Sequence, residues 1–152
     1  MRKELSLEEI RKLVGTEIFV SDWKKIDQDQ INRFAEATGD YQWIHVDTEK
    51  ASHGPFGTTI AHGFLILSHL PFFVNKGDII PEGTKMTVNY GLNRVRFLNP
   101  VPVDSKIRDR IVLSRIEKSR GGRILIATTH TIEIEGQEKP ACIAEALSMA
   151  FV

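Results

Sequence analysis

Along the second half of the chain, apolar and polar positions alternate with a period of two. The clearest run puts Ile124, Ile126, Thr128, His130, Ile132 and Ile134 on one face and Arg123, Thr129, Thr131, Glu133 and Glu135 among the residues of the other. Successive side chains of a strand point to opposite faces, so this pattern predicts a half-buried antiparallel strand. Four such strands are expected, over 85–97, 106–117, 123–135 and 141–152, joined by turn-rich pieces at Asn99-Pro100, 119–122 and 136–140.

The first half changes to helical spacing. Ser6 and Glu9 form a capping box, with the Ser6 hydroxyl placed to accept the Glu9 amide and the Glu9 side chain to reach back. Leu7, Ile10, Leu13 and Val14 then recur on one face until Gly15, and a strand is expected over 17–23. Asp27 starts a second helix whose weakly apolar face is Ile31, Phe34, Ala35 and Thr38, and Gly39 should end it. Asp40 therefore falls just past a helix terminus. Asp47 can cap a brief turn to about Ser52, but 40–58 reads mostly as loop, broken by the 54–57 stretch with its two Gly and one Pro. The 60–74 segment is apolar on nearly every side, which predicts one buried helix that Pro71 kinks or finishes with a last turn.

Short helices and a strand, an all-apolar helix, then four long strands pack most economically as an antiparallel sheet curled around that helix. This is an α+β hot-dog order, expected to occupy 1–152 as a single domain. Such a sheet leaves an edge strand and a wide face, so a homodimer is expected to cover them.

Composition narrows the function classes. The 152 residues are 41% hydrophobic and 26% charged, and 20 Lys+Arg balance 20 Asp+Glu, so neither disorder nor an electrostatic footprint for nucleic acid or an anionic membrane is expected. Cys142 is the one cysteine, so no disulfide within the chain and no thiolate zinc cage can form, and a reducing, cytoplasmic setting fits. The charged start lacks a secretory core, and the 64–74 apolar run is far shorter than the roughly 20 residues that cross a bilayer.

The densest polar constellation is 34–51. Asp40 and His45, five residues apart, can converge on one point as an acid/base pair handling a single water. The plainer alternative is that Asp40 is turn chemistry after Gly39 and His45 a hydrogen-bonded bystander. Gly63, in Ala61-His62-Gly63-Phe64, opens the apolar helix with a free backbone N–H and no Cβ, an oxyanion site in outline or else a Gly required for tight packing.

Together these segments resemble the MaoC-like dehydratase family, which includes (R)-specific enoyl-CoA hydratases. Its pattern is an aromatic, small residues, Gly-Asp, a variable residue, Asn-Pro, an aliphatic, His and a small residue further on. Phe34, Gly39, Asp40, Ile44, His45 and Ala51 match it, Ala61-His62-Gly63 is similar to its second signature, and the likeness continues through 89–97. Gln42-Trp43 stands where Asn-Pro is usual and is similar to the nodulation-protein-N-like branch. The resemblance implies syn addition of water to a trans-2-enoyl thioester of CoA or acyl-carrier protein. Asp40 and His45 would hold the water, the Gly63 N–H would bind the thioester oxygen, Arg94 and Arg96 would meet CoA phosphates, and no metal or other cofactor would be used.

Three rivals stay open. His45, Asp47, His53 and His62 lie within one short stretch and suit a zinc set, though without tight ligand spacing. A hot-dog thioesterase would share fold and ligand but attack the thioester carbon. A non-catalytic acyl-binding subunit is the third. Cys142, in an expected strand with apolar neighbours, suits an inert core thiol.

Overall fold

Local signals set most of the element boundaries. The computed structural model describes residues 3–77 and 79–152. After a short strand β1 (Lys3–Leu5), the Ser6 capping box forms with both its hydrogen bonds and starts α1 (Leu7–Arg11), after which the chain turns at Gly15 with φ +85°. The strand expected over 17–23 is split into β2 (Glu17–Val20) and β3 (Lys24–Lys25). Asp27 Oδ1 accepts the Gln30 amide at 2.9 Å and opens α2 (Gln28–Thr38). Gly39 ends it in the left-handed region at φ +78°, which a residue without a Cβ adopts freely.

The 40–58 stretch is more regular than expected. It holds two one-turn helices, α3 (Trp43–Val46) and α4 (Thr48–Ser52), the latter capped by Asp47 as its sequence position suggests. His45 therefore stands on a helical turn rather than in a loop. α3 is too short to leave a periodic trace in sequence.

The apolar 60–74 segment is also corrected. It is not one helix but two, α5 (Gly63–Ser68) and α6 (Leu70–Gly77), joined at His69. Pro71, lacking an N–H, sits in the first turn of α6, where no intrahelical partner is required. Nor is it buried all round, since Phe64 is 66% and Phe72 39% exposed.

The remaining strands are β4 (Ile79–Pro81), β5 (Met86–Phe97), β6 (Lys106–Lys118), β7 (Arg123–Ile134) and β8 (Cys142–Phe151). The four long ones lie within a residue or so of their expected spans. The main sheet runs β2-β6-β7-β8-β5 with antiparallel neighbours, β3 also pairs with β6, and β1 pairs in parallel with β4. The sheet packs its apolar face on α5 and α6: Leu65, Ile66, Leu70 and Phe73 meet Ile107, Ile132, Ile134 and Ala144. Burying each such side chain contributes about 1.5–3 kcal/mol. A second cluster around Ile10, Leu113, Ile116 and Ile126 secures α1 at the other end. β5 is an outer strand and exposed along nearly its whole length, with Met86, Val88, Tyr90, Leu92 and Phe97 open.

Candidate active site

Asp40 is fixed by the end of α2. Gly39 turns the chain in the left-handed region, its N–H donating to the Ala35 carbonyl at 2.8 Å, and Asp40 follows directly after this turn. The Asp40 side chain is half exposed, and its Oδ1 accepts the Gln42 amide at 3.3 Å. Its backbone carbonyl accepts a hydrogen bond from His62 Nε2 at 3.0 Å.

His45 is 7% exposed and held from two sides. Its Nδ1 donates to the Ile60 carbonyl at 2.7 Å, and its own carbonyl accepts Gln28 Nε2 at 2.7 Å. With the Nδ1 proton committed to a carbonyl, Nε2 carries the lone pair and is the nitrogen available for chemistry. Burial is the main reason the imidazole titrates below its ordinary 6.5, and His62 pushes the same way, while the Ile60 carbonyl and Asp40 oppose them. At neutral pH His45 is thus an uncharged base.

His62 stacks on His45, and Phe34 packs against His62 in a tilted arrangement with ring centroids 4.9 Å apart. Asp40, His45 and His62 each bring one ligand-type atom within 4.8 Å of the others. The pair singled out from sequence is therefore brought together, and His62, weighed from sequence only as a zinc ligand, is the third member. These three are also the residues able to hold a cation among those described. The zinc set weighed from sequence is not assembled: Asp47 caps α4, and His53 Nδ1 is engaged with Ser52 Oγ and the Glu49 carbonyl, both at 3.1 Å.

His45 and Gly63 line one cleft of about 290 Å3 together with Ile60, Ile66, Phe97 and Val101. Gly63 is the first residue of α5, where a backbone N–H has no intrahelical acceptor. The packing alternative for this glycine has substance too, because a Cβ there would lie 3.0 Å from the Phe97 ring. Arg94 and Arg96 are exposed on β5 and do not line this cleft; Arg96 Nη1 donates to the adjacent Val95 carbonyl at 2.7 Å.

Sequence reasoning missed three supports of the site: His62 as the residue touching both members of the pair, Phe97 as a wall, and Gln28 as the clamp on His45. His62 alone carried a signal, as a member of the zinc set weighed from sequence and as the neighbour of Gly63. A second cavity of about 790 Å3 lies between α6 and the sheet, walled by Leu70, Val74, Ile80, Leu113 and Ile126 among others. α5 borders both spaces, giving Ile66 to the cleft and Leu67 to the cavity.

Comparison with known proteins gives the family and the fold of the chain. Residues 9–135 match the family described as MaoC like domain. The chain is 46% identical over 147 residues to the 3-hydroxyacyl-thioester dehydratase Z of Mycobacterium tuberculosis, covering 97% of each chain. It is 43% identical to nodulation protein N of Rhizobium meliloti, over 97% of this chain and 92% of that one. Its backbone is similar to the solved (R)-hydratase of A. caviae with a TM-score of 0.71 at 19% identity, over 87% of this chain and 94% of the other.

Proposed function

This chain belongs to the MaoC-like dehydratase family, and from that premise we propose that it hydrates trans-2-enoyl thioesters to (3R)-hydroxyacyl thioesters, and catalyses the reverse dehydration. The observation that carries the reading is the meeting of the Asp40 carboxylate and the His45 imidazole beside a cleft that also contains Gly63.

Both groups offer acceptors to the same water. One O–H of that water donates to the Asp40 carboxylate and the other to His45 Nε2, which leaves an oxygen lone pair aimed at C3. As the C–O bond forms, the pair takes a proton from the water and the C2=C3 electrons move toward the thioester oxygen. The Gly63 N–H meets that oxygen as negative charge collects there, and one such preorganised donor contributes about 3–4 kcal/mol. The enolate then collapses, C2 takes the proton back from the pair, and water has been added to one face. The lowered His45 value suits this role, since the ring must begin uncharged.

The cavity between α6 and the sheet has the size and apolar walls to receive the acyl chain. The carrier is CoA or acyl-carrier protein, with Arg94 and Arg96 assigned to CoA phosphates. The long exposed β5 and the apolar side chains on it support a homodimer in which a second copy covers that edge. Chain 1–152 acts as one domain, in the cytoplasm; among the described residues no helix is long and apolar enough to cross a membrane.

The test is loss of the conjugated enoyl absorbance of crotonyl-CoA with purified protein, with and without a chelator. Hydration that persists in chelator is expected. Release of free thiol from saturated acyl-CoA with no hydration would overturn the reading in favour of a thioesterase.

A further inference from the structure

A second polar cluster lies in the sheet, away from Asp40 and His45. Asp109 on β6 is 0% exposed and His130 on β7 is 1% exposed. His130 Nδ1 lies 2.6 Å from Asp109 Oδ2, and His130 Nε2 lies 2.8 Å from Thr128 Oγ1. The Asp109 amide donates to Ser21 Oγ at 2.9 Å, while Asp109 Oδ1 has no hydrogen-bond partner among the described residues. Its neighbours on the same face of β6, Ile107, Ile111 and Leu113, are all apolar and buried.

Stability does not explain this cluster. A buried ion pair is commonly no more stabilising than apolar side chains of the same size, because both groups must be stripped of water. The sheet tolerates a costly group whose hydrogen-bond chain runs from a sealed carboxylate, through the imidazole, to one hydroxyl. Thr128 and His130 both line the 790 Å3 cavity, as do the polar residues Thr87, Asn89, Ser68 and Ser148. The chain therefore ends on a wall that the proposed function assigns to the acyl group, and most of that wall is apolar.

The proton positions define what Thr128 can recognise. With Nδ1–H donating to Asp109, the ring accepts the Thr128 O–H and leaves the hydroxyl lone pairs facing the cavity. With Nε2 protonated instead, Asp109 must carry the proton and donate it to Nδ1; the ring then donates to Thr128 and frees its O–H to donate inward. A ligand hydroxyl, both donor and acceptor, pairs with either arrangement. A ligand carboxylate is disfavoured, since it would bring a second negative charge toward buried Asp109.

We propose that Asp109, His130 and Thr128 form a relay that reads a hydroxyl carried along the acyl chain, so that the substrate class is hydroxylated enoyl thioesters rather than plain alkyl ones. This rests on the reading of the 790 Å3 cavity as the acyl site. Thr128 makes the contact; His130 and Asp109 are positioning residues that orient its hydroxyl.

The test is calorimetric binding of saturated acyl-CoAs that cannot turn over: dodecanoyl-CoA against a series in which one hydroxyl is moved carbon by carbon from C5 toward the chain end, leaving out the 3-hydroxy compound that the proposed reaction would dehydrate. One member is expected to bind about tenfold more tightly than the plain chain, the value of one good hydrogen bond. Thr128→Val should bring that member to parity with dodecanoyl-CoA, and Thr128→Ser should keep the preference. If no member binds more tightly than the plain chain in the unsubstituted protein, or if the preference survives Thr128→Val, the relay is not a reader. Crotonyl-CoA hydration measured alongside separates the two ideas: its absence overturns the hydratase reading, while the binding contrast still decides this one.

Discussion

The His62 ring lies face to face with His45, centroids 3.9 Å apart and planes 23° apart. The same side chain donates from Nε2 to the Asp40 backbone carbonyl at 3.0 Å, so one residue touches both members of the proposed dyad. Two stacked imidazoles cannot both carry charge cheaply, which is one reason His45 is held toward its neutral form. The site thus groups three polar side chains, with Phe34 packed against His62.

His62→Leu keeps much of the bulk but removes the donor to Asp40. We expect kcat for crotonyl-CoA to fall about tenfold, the worth of one buried hydrogen bond, while circular dichroism stays unchanged. Unaltered kcat would mean that the contact with the Asp40 carbonyl plays no part in turnover.

Asp40→Asn and His45→Gln each leave a group of similar shape that cannot exchange a proton with water. Each is expected to lower hydration by about 10²–10⁴-fold, the usual range for a positioned acid or base, with the thermal midpoint little changed. Near-normal turnover in either variant would remove that residue from the mechanism.

The pH profile follows from the direction of the His45 shift. Its value is lowered in the folded chain, mainly by burial, so the uncharged base persists below the ordinary 6.5. The acid limb of the kcat/KM profile should therefore be centred below 6.5. The same shift makes its contribution to stability present above 6.5 and lost as pH falls through the folded value. An acid limb centred above 6.5 would contradict the assigned role.

Cys142 is fully buried, and burial, aided by nearby Asp109, pushes its thiol up to about 11. Little thiolate exists at neutral pH, so a disulfide reagent should label the native protein far more slowly than the denatured chain. Equal rates in both states would show the strand ends opening to solvent.

The legible parts of this fold were those with long or strongly directional signals. The four long strands were readable because a period of two repeated over a dozen positions leaves little room for another pattern. Asp27, Gly39 and Asp47 were readable because caps and left-handed turns are local chemistry. α3 was not, since one turn has no period. The exposure of Phe64 and of β5 was hidden for a different reason: an apolar residue looks the same in sequence whether it faces its own core or open surface. Asp40 and His45 sit close enough in sequence to suggest convergence, whereas Asp109 and His130 belong to different strands and meet only through the register of β6 against β7.

Gly63 has two reasons to be glycine, and they can be separated. A Cβ there would lie 3.0–3.2 Å from three atoms of the Phe97 ring, closer than ordinary contact, so Gly63→Val must displace that ring. Phe97 is 46% exposed and can give way, so the cost in stability should be modest. If packing is the whole story, Phe97→Ala supplies the room, and the double variant Gly63→Val with Phe97→Ala should recover the activity of Phe97→Ala alone. If the Gly63 N–H binds the thioester oxygen, the valine side chain still blocks the approach of substrate. The double variant should then stay about tenfold or more below Phe97→Ala in kcat/KM, although its thermal midpoint returns. Recovery of both activity and stability would leave Gly63 with a packing role and move the search for the oxyanion donor elsewhere in the cleft.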